Sequence, residues 1–268
     1  MTSGESRPER SAWRGAAVAI LAHVLLVYAA FTVLALVFDF PEVLRRPATE
    51  RLDLFQRVEG VVRPAYWVLT LTGFTQIAMA VLLHQAFGDR GRTLLVLGLV
   101  FGVVAGALQA LGFVRWVVLT PYLARALTDP AVPDVTRQAI ALVEGSFNRY
   151  AGMAVGEHTA TLALCLWILC LALTMRRDPL FDPRLGSAGL ALAPLALLVA
   201  LEPVGVVPRL PGPLAALAFP AWVVWLVVIA ASLWRSDAAT GTGPRLTWRT
   251  GAWAGTLWVL LTVPALLG

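Results

Sequence analysis

Long apolar runs alternate with short polar stretches along the whole chain. The runs cover residues 13–38, 63–87, 93–119, 147–175, 187–207, 214–234 and 250–267. Each is close to the length that an α-helix needs to cross bilayer hydrocarbon, about twenty mainly apolar residues. Backbone polar groups in lipid must bond within their own segment, so the runs predict helices rather than loops or open strands. The expected fold class is all-α: a polytopic transmembrane helix bundle of about seven spans, with one or two short extramembrane helices. Residues 1–12 are polar and read as a disordered tail, and 13–268 as a single transmembrane helical domain.

The connecting stretches carry their own signals. Residues 39–59 mix charges of both signs, with Leu52, Leu54, Phe55 and Val58 interleaved at helical spacing. This predicts a short amphipathic helix lying on the membrane surface. Asp129-Pro130 and Pro133-Asp134 are turn signals, and a second short helix is expected over 135–145. Pro121 and Pro208 are expected to end the third and fifth spans. The first run is longer than a signal-peptide core and lacks a convincing cleavage site, so it reads as a span. Arginines near span ends are slightly more frequent on the side that carries the N-terminus. By the positive-inside rule that side is cytoplasmic, which places seven spans in a cytoplasmic membrane with the C-terminus outside.

Composition agrees with a membrane class. The chain is 59% hydrophobic and 14% charged, whereas a soluble domain carries roughly 25% charged residues. The net charge is +5, and all 21 basic residues are arginine. They lie mostly at the ends of the apolar runs, where they anchor helices to headgroups. No clustered basic surface is presented, so no nucleic-acid partner is expected. The partner is the lipid bilayer, with a small molecule or lipid as the expected ligand. Cys165 and Cys170 are five residues apart and point in different directions on a helix, so they read as small buried hydrophobes.

Zinc, haem and nucleotide motifs are missing. Glu157-His158 has the wrong order and spacing for the H-E-x-x-H zinc helix. His23 and His158 fall in opposite halves of the bilayer, a poor fit to bis-histidine haem ligation. No metal is expected and no cofactor or catalytic residue is assigned.

The candidate chemistry lies in the spans themselves. Charge in hydrocarbon is expensive, and such residues face the bundle interior and mark function. Arg115 lies six residues before Pro121, Glu157 ten after Phe147 and Glu202 six before Pro208. With alternating spans, all three fall roughly 10–15 Å below one surface, at about 1.5 Å per residue. Gly98, Gly102, Gly106, Gln109, Gly112 and Arg115 form one stripe of helical spacing, and small residues there let helices approach closely. Asn148, Gly152, Gly156 and Thr159 form another, and Tyr66, Thr70 and Gly73 share a face of the second span.

The expected ligand-binding set is Arg115, Glu157, His158, Glu202, Gln109 and Tyr66. Arg115 paired with one carboxylate would be a lock on helix register, since its planar fork suits a carboxylate. Two acids, an arginine and a histidine in one layer exceed what a lock needs. The leading expectation is a non-enzymatic protein whose polar pocket binds a small molecule or lipid headgroup. Three rivals stand beside it: an embedded enzyme using Glu157 as base and His158 as proton partner, a proton-coupled transporter, and a structural subunit of a membrane complex.

Leu111-Gly112-Phe113-Val114-Arg115-Trp116, then Pro121, then Phe147-Asn148-Arg149-Tyr150-Ala151-Gly152 running into Gly156-Glu157-His158, resembles a family of bacterial multi-pass membrane proteins, the domain of unknown function 4386. Glu202-Pro203 is similar to its pattern as well. The resemblance covers spans one to six. It implies a bacterial helical membrane protein and lends no catalytic role to any position.

Overall fold

The structure is a computed structural model that describes residues 10–88, 92–208, 212–236, 240 and 242–267. The helices are α1 (Arg10–Phe38), α2 (Ala48–Phe87), α3 (Arg92–Thr128), α4 (Asp134–Phe147), α5 (Ala160–Met175), α6 (Pro183–Leu201), α7 (Gly212–Arg235) and α8 (Trp248–Leu267). A π-helical stretch, Asn148–Thr159, joins α4 to α5, so Asp134–Met175 runs as one rod. A 3-10 turn, Glu42–Arg45, lies between α1 and α2. Among the described residues, six segments are long and apolar enough to cross a bilayer: Arg10–Phe38, Ala48–Phe87, Thr93–Thr128, Asp134–Met175, Pro183–Leu201 and Ala218–Arg235. The all-α polytopic bundle is therefore what the chain forms. The stretch expected as a seventh span is also helical, as α8.

α1 and α2 run in opposite directions. The indole of Trp13, at the start of α1, donates to the Ala86 carbonyl near the end of α2 at 2.9 Å. Phe87, at that same end, packs on Phe181 just before α6. We call this the near side. The far side carries the 39–47 and 129–133 connections and the end of α6.

Several boundaries differ from expectation. Residues 10–12 belong to α1, and the rest of the expected tail lies outside the described residues. The amphipathic stretch before span two is the first part of α2 itself, bent at Val58 (φ −122°, ψ 18°). The bend lies just ahead of Gly60, whose carbonyl has no i+4 donor because Pro64 lacks an N–H. Pro121 does not end α3, which runs on to Thr128. Its missing N–H leaves the Val117 carbonyl without a helical partner, and the Arg63 guanidinium donates to that oxygen at 3.1 Å. A side chain from α2 thus replaces the lost backbone bond, which removes the main reason for the helix to stop. α6 ends earlier than expected, at Leu201, because Pro203 has no N–H for the Val199 carbonyl.

Close approach fixes the register of the core. A Cβ added to Gly73 would strike the Gly106 carbonyl oxygen, and one added to Gly106 would strike the Gly73 carbonyl. Backbones of α2 and α3 are thus in direct contact, the packing that small residues permit in membranes. One turn above Gln109, a Cβ on Gly112 would lie 2.9 Å from the Gly156 Cα. That contact presses α3 against the π-helical stretch and brings the two polar stripes face to face.

Candidate functional site

The π-helical stretch reads Asn-Arg-Tyr-Ala-Gly-Met-Ala-Val-Gly-Glu-His-Thr, with two glycines, the weakest helix former after proline. Its hydrogen bonds reach five residues back: the Ala160 N–H donates to the Val155 carbonyl, and the Thr159 hydroxyl to the Ala154 carbonyl at 2.7 Å. Such wide turns occur preferentially at functional sites. Here the winding turns Asn148 and Gly152 into the protein, both buried.

Arg115 is held from four directions. One terminal nitrogen donates to Asn148 Oδ1 at 2.9 Å, and the other to the Gly112 carbonyl at 3.3 Å. Its guanidinium carbon lies 5.2 Å from the Trp116 ring centre, a cation–π distance. Gly152 forms a shelf beneath it, since any Cβ there would overlap the guanidinium nitrogens. Trp116 in turn stacks on Tyr66, with ring centres 4.7 Å apart and planes 8° apart. The Tyr66 hydroxyl is buried with no hydrogen-bond partner among the described residues.

Glu157 follows the Gly112–Gly156 contact, so it sits beside the turn of α3 next to Arg115. Arg45, Arg115 and Glu202 all act on it electrostatically. Yet among the described residues no hydrogen bond or ion pair reaches its carboxylate. His158 Nδ1 lies 2.6 Å from the Ala200 carbonyl. A carbonyl only accepts, so Nδ1 carries the hydrogen and neutral His158 keeps Nε2 as an acceptor.

Glu202 is displaced from its expected place. It lies in the turn that follows α6 rather than inside a span, and pairs with Arg45 at 2.7 Å. Arg45 is about one-third exposed. Gln109 is half-buried, and among the described residues it makes no hydrogen bond to Arg115, Glu157 or Tyr66.

A family model matches residues 16–233. The chain belongs to the family described as domain of unknown function DUF4386. The matched stretch contains Tyr66, Arg115, the whole π-helical segment and Glu202, whereas α8 falls beyond it. No curated protein and no solved structure matches the chain. Membership in DUF4386 therefore confirms the resemblance read from the sequence and leaves the chemistry to the geometry.

This DUF4386 chain also contains a buried ion pair that sequence reasoning missed. Arg51 Nε donates to Glu144 Oε1 at 2.8 Å, and Arg51 Nη2 to Glu144 Oε2. The two side chains are only 3% and 6% exposed. The remaining Arg51 donor bonds the carbonyls of Leu44 and Arg46, at 3.0 and 2.7 Å. Asn148 Nδ2 shares the Leu44 carbonyl at 3.1 Å. Asn148 thus links the Arg51–Glu144 pair to Arg115. One signal was present: Ile140, Glu144, Asn148 and Gly152 recur every fourth residue, so Glu144 belongs to the inward stripe.

A second polar group lies toward the near side, between α1, α2 and α7. The Thr75 hydroxyl donates to the Thr72 carbonyl at 3.0 Å, which spends its one hydrogen. His23 Nδ1, 2.7 Å from Thr75 Oγ1, is therefore the donor. The imidazole packs against Trp222 with ring centres 5.8 Å apart. This set is uncharged in the neutral tautomer. Among the described residues, no group of three or more His, Cys, Asp or Glu is arranged to hold a metal ion.

Proposed function

We propose that this integral membrane protein binds an anionic group, carried by a lipid headgroup or a small molecule, on the guanidinium of Arg115. Glu157, His158, Tyr66 and Glu202 complete the lining, and the layer lies toward the far side of the bilayer. The slight excess of arginines on the N-terminal side supports a further reading, a bacterial cytoplasmic membrane with the N-terminus in the cytoplasm.

One observation carries the reading. Arg115 is clamped by Asn148, Gly112 and Trp116 but joins no carboxylate among the described residues, although Glu157 follows the Gly156 that packs on Gly112. In a weakly screening interior, opposite charges gain much by closing into contact. Holding them apart orients both toward something else. Binding then needs little reorganisation, which is what preorganised sites exploit. The unpartnered Tyr66 hydroxyl adds a donor on the same side.

Native mass spectrometry of the full chain, released from nanodiscs of mixed phospholipids, tests this. The protein should retain one bound anionic or zwitterionic species after belt lipids are stripped. Arg115→Gln should lower its occupancy about tenfold or more, since a charge-assisted hydrogen bond is worth roughly 1.5–3 kcal/mol. Gly152→Ala should act in the same direction by pushing the guanidinium off its shelf. Equal occupancy in wild type and both folded variants would refute the reading.

A further inference from the structure

The proposed site has two ends of opposite sign. At one end is the guanidinium of Arg115. At the other are two carboxylates, Glu157 and Glu202, and Arg45 bonds the second of them. Arg45 bonds Glu202 directly at 2.7 Å and reaches Glu157 only through its field. Glu157 follows Gly156, which packs on Gly112 one turn of α3 from Arg115, and no ion pair joins it to Arg115 or Arg45.

Each arginine is restrained for a different reason. Arg115 is fixed by Asn148, Gly112 and the Gly152 shelf, so it does not swing to Glu157. Arg45 sits on the 3-10 turn at the far side, about one-third exposed, and is held by Glu202. Nearby, His158 is turned away toward the Ala200 carbonyl through Nδ1. The result is a carboxylate set beside a fixed cation, and the Trp116 ring that covers this cation stacks on Tyr66, whose hydroxyl is buried with no hydrogen-bond partner among the described residues.

An anion alone would satisfy Arg115 and Tyr66 but would bring negative charge up to Glu157. A ligand carrying both signs removes that conflict. Resting on the Arg115 reading above, we infer that the site takes a zwitterion: a phosphate or carboxylate on Arg115 and Tyr66, and an ammonium on Glu157. The ammonium competes with Arg45 for the acidic end. The shared chemistry fits a phosphoethanolamine group, either as the head of a membrane phospholipid or free in solution.

The test uses the full chain in nanodiscs, with lipid occupancy read by native mass spectrometry. Phosphatidylethanolamine and phosphatidylglycerol are supplied at equal levels, with and without soluble phosphoethanolamine. Wild type should prefer phosphatidylethanolamine about tenfold, the scale of one charge-assisted hydrogen bond. Displacement by soluble phosphoethanolamine assigns the free molecule, and persistence of the lipid assigns the headgroup; both support the zwitterion. Glu157→Gln should bring the two lipids to parity while Arg115-dependent binding survives. Arg45→Ala should tighten ethanolamine binding, which a merely structural role for Arg45 would not do. Equal or greater occupancy by phosphatidylglycerol, still abolished by Arg115→Gln, would overturn the zwitterion and leave the anion site standing. Loss of the ethanolamine preference in Arg45→Ala would also overturn it. Binding that ignores Arg115→Gln would overturn both readings.

Discussion

Two arginine–glutamate pairs lie inside one bundle and are built in opposite ways. Arg51 and Glu144 meet fork to fork, and the spare donor of Arg51 is taken by two carbonyls. Arg115 and Glu157 flank the Gly112–Gly156 contact and form no ion pair with each other. Asn148 connects the two systems, bonding Arg115 through its oxygen and the Leu44 carbonyl through its nitrogen. The contrast separates two uses of the same chemistry. A closed pair fixes how the 39–57 region seats against α4. An open pair leaves both charges available to a third group, which is the arrangement that the proposed binding site uses.

The largest effect that separates them is on folding. Glu144→Ala leaves the Arg51 guanidinium buried without its carboxylate, and should destabilise the protein by roughly 3–5 kcal/mol. Thermal unfolding in detergent will read this as a clear fall in midpoint. A midpoint equal to wild type would place the pair among ornamental contacts. Glu157→Gln should behave otherwise. It removes a charge that has no bonded partner among the described residues, so stability should stay within about 0.5 kcal/mol of wild type or rise slightly. A large loss there would mean that Glu157 is structural after all.

A smaller, unrelated effect serves as a control from the near side. Asp182 caps α6, accepting from the Arg184 and Leu246 backbone N–H groups, each at 2.9 Å. Burial pushes its carboxyl up, but the two N–H bonds and the nearby Arg184 and Arg245 outweigh this and hold it below the ordinary aspartate range. A depressed carboxyl adds stability above the unfolded value, about 3.9, and loses it as pH falls through the folded value. Asp182→Ala should cost about 1 kcal/mol near neutrality, and the difference from wild type should vanish in strong acid. A difference that persists at low pH would assign the effect to packing instead.

These contrasts also show what the sequence made legible. The spans were readable because twenty apolar residues in a row have few other uses. The polar layer was readable because Arg115 extends a glycine stripe and Glu157 follows another. Chain ends of helices were less so. Pro121 looked like a stop, and only tertiary contact with Arg63 supplies the bond that carries α3 past it. Glu202 looked intramembrane because its apolar neighbours run on to 207, whereas Pro203 ends the helix at Leu201. Arg51 and Glu144 were hidden for the opposite reason. Charged residues in polar stretches default to solvent, and these two are buried only because the 39–47 connection folds over α4.

Double-mutant cycles on unfolding free energy test the open-versus-closed distinction most directly. Arg51→Met with Glu144→Gln should show a coupling of about 2–3 kcal/mol, and Arg115→Gln with Glu157→Gln a coupling below about 0.5 kcal/mol. A coupling for Arg115 and Glu157 as large as that for Arg51 and Glu144 would mean that both are locks, and would contradict the site.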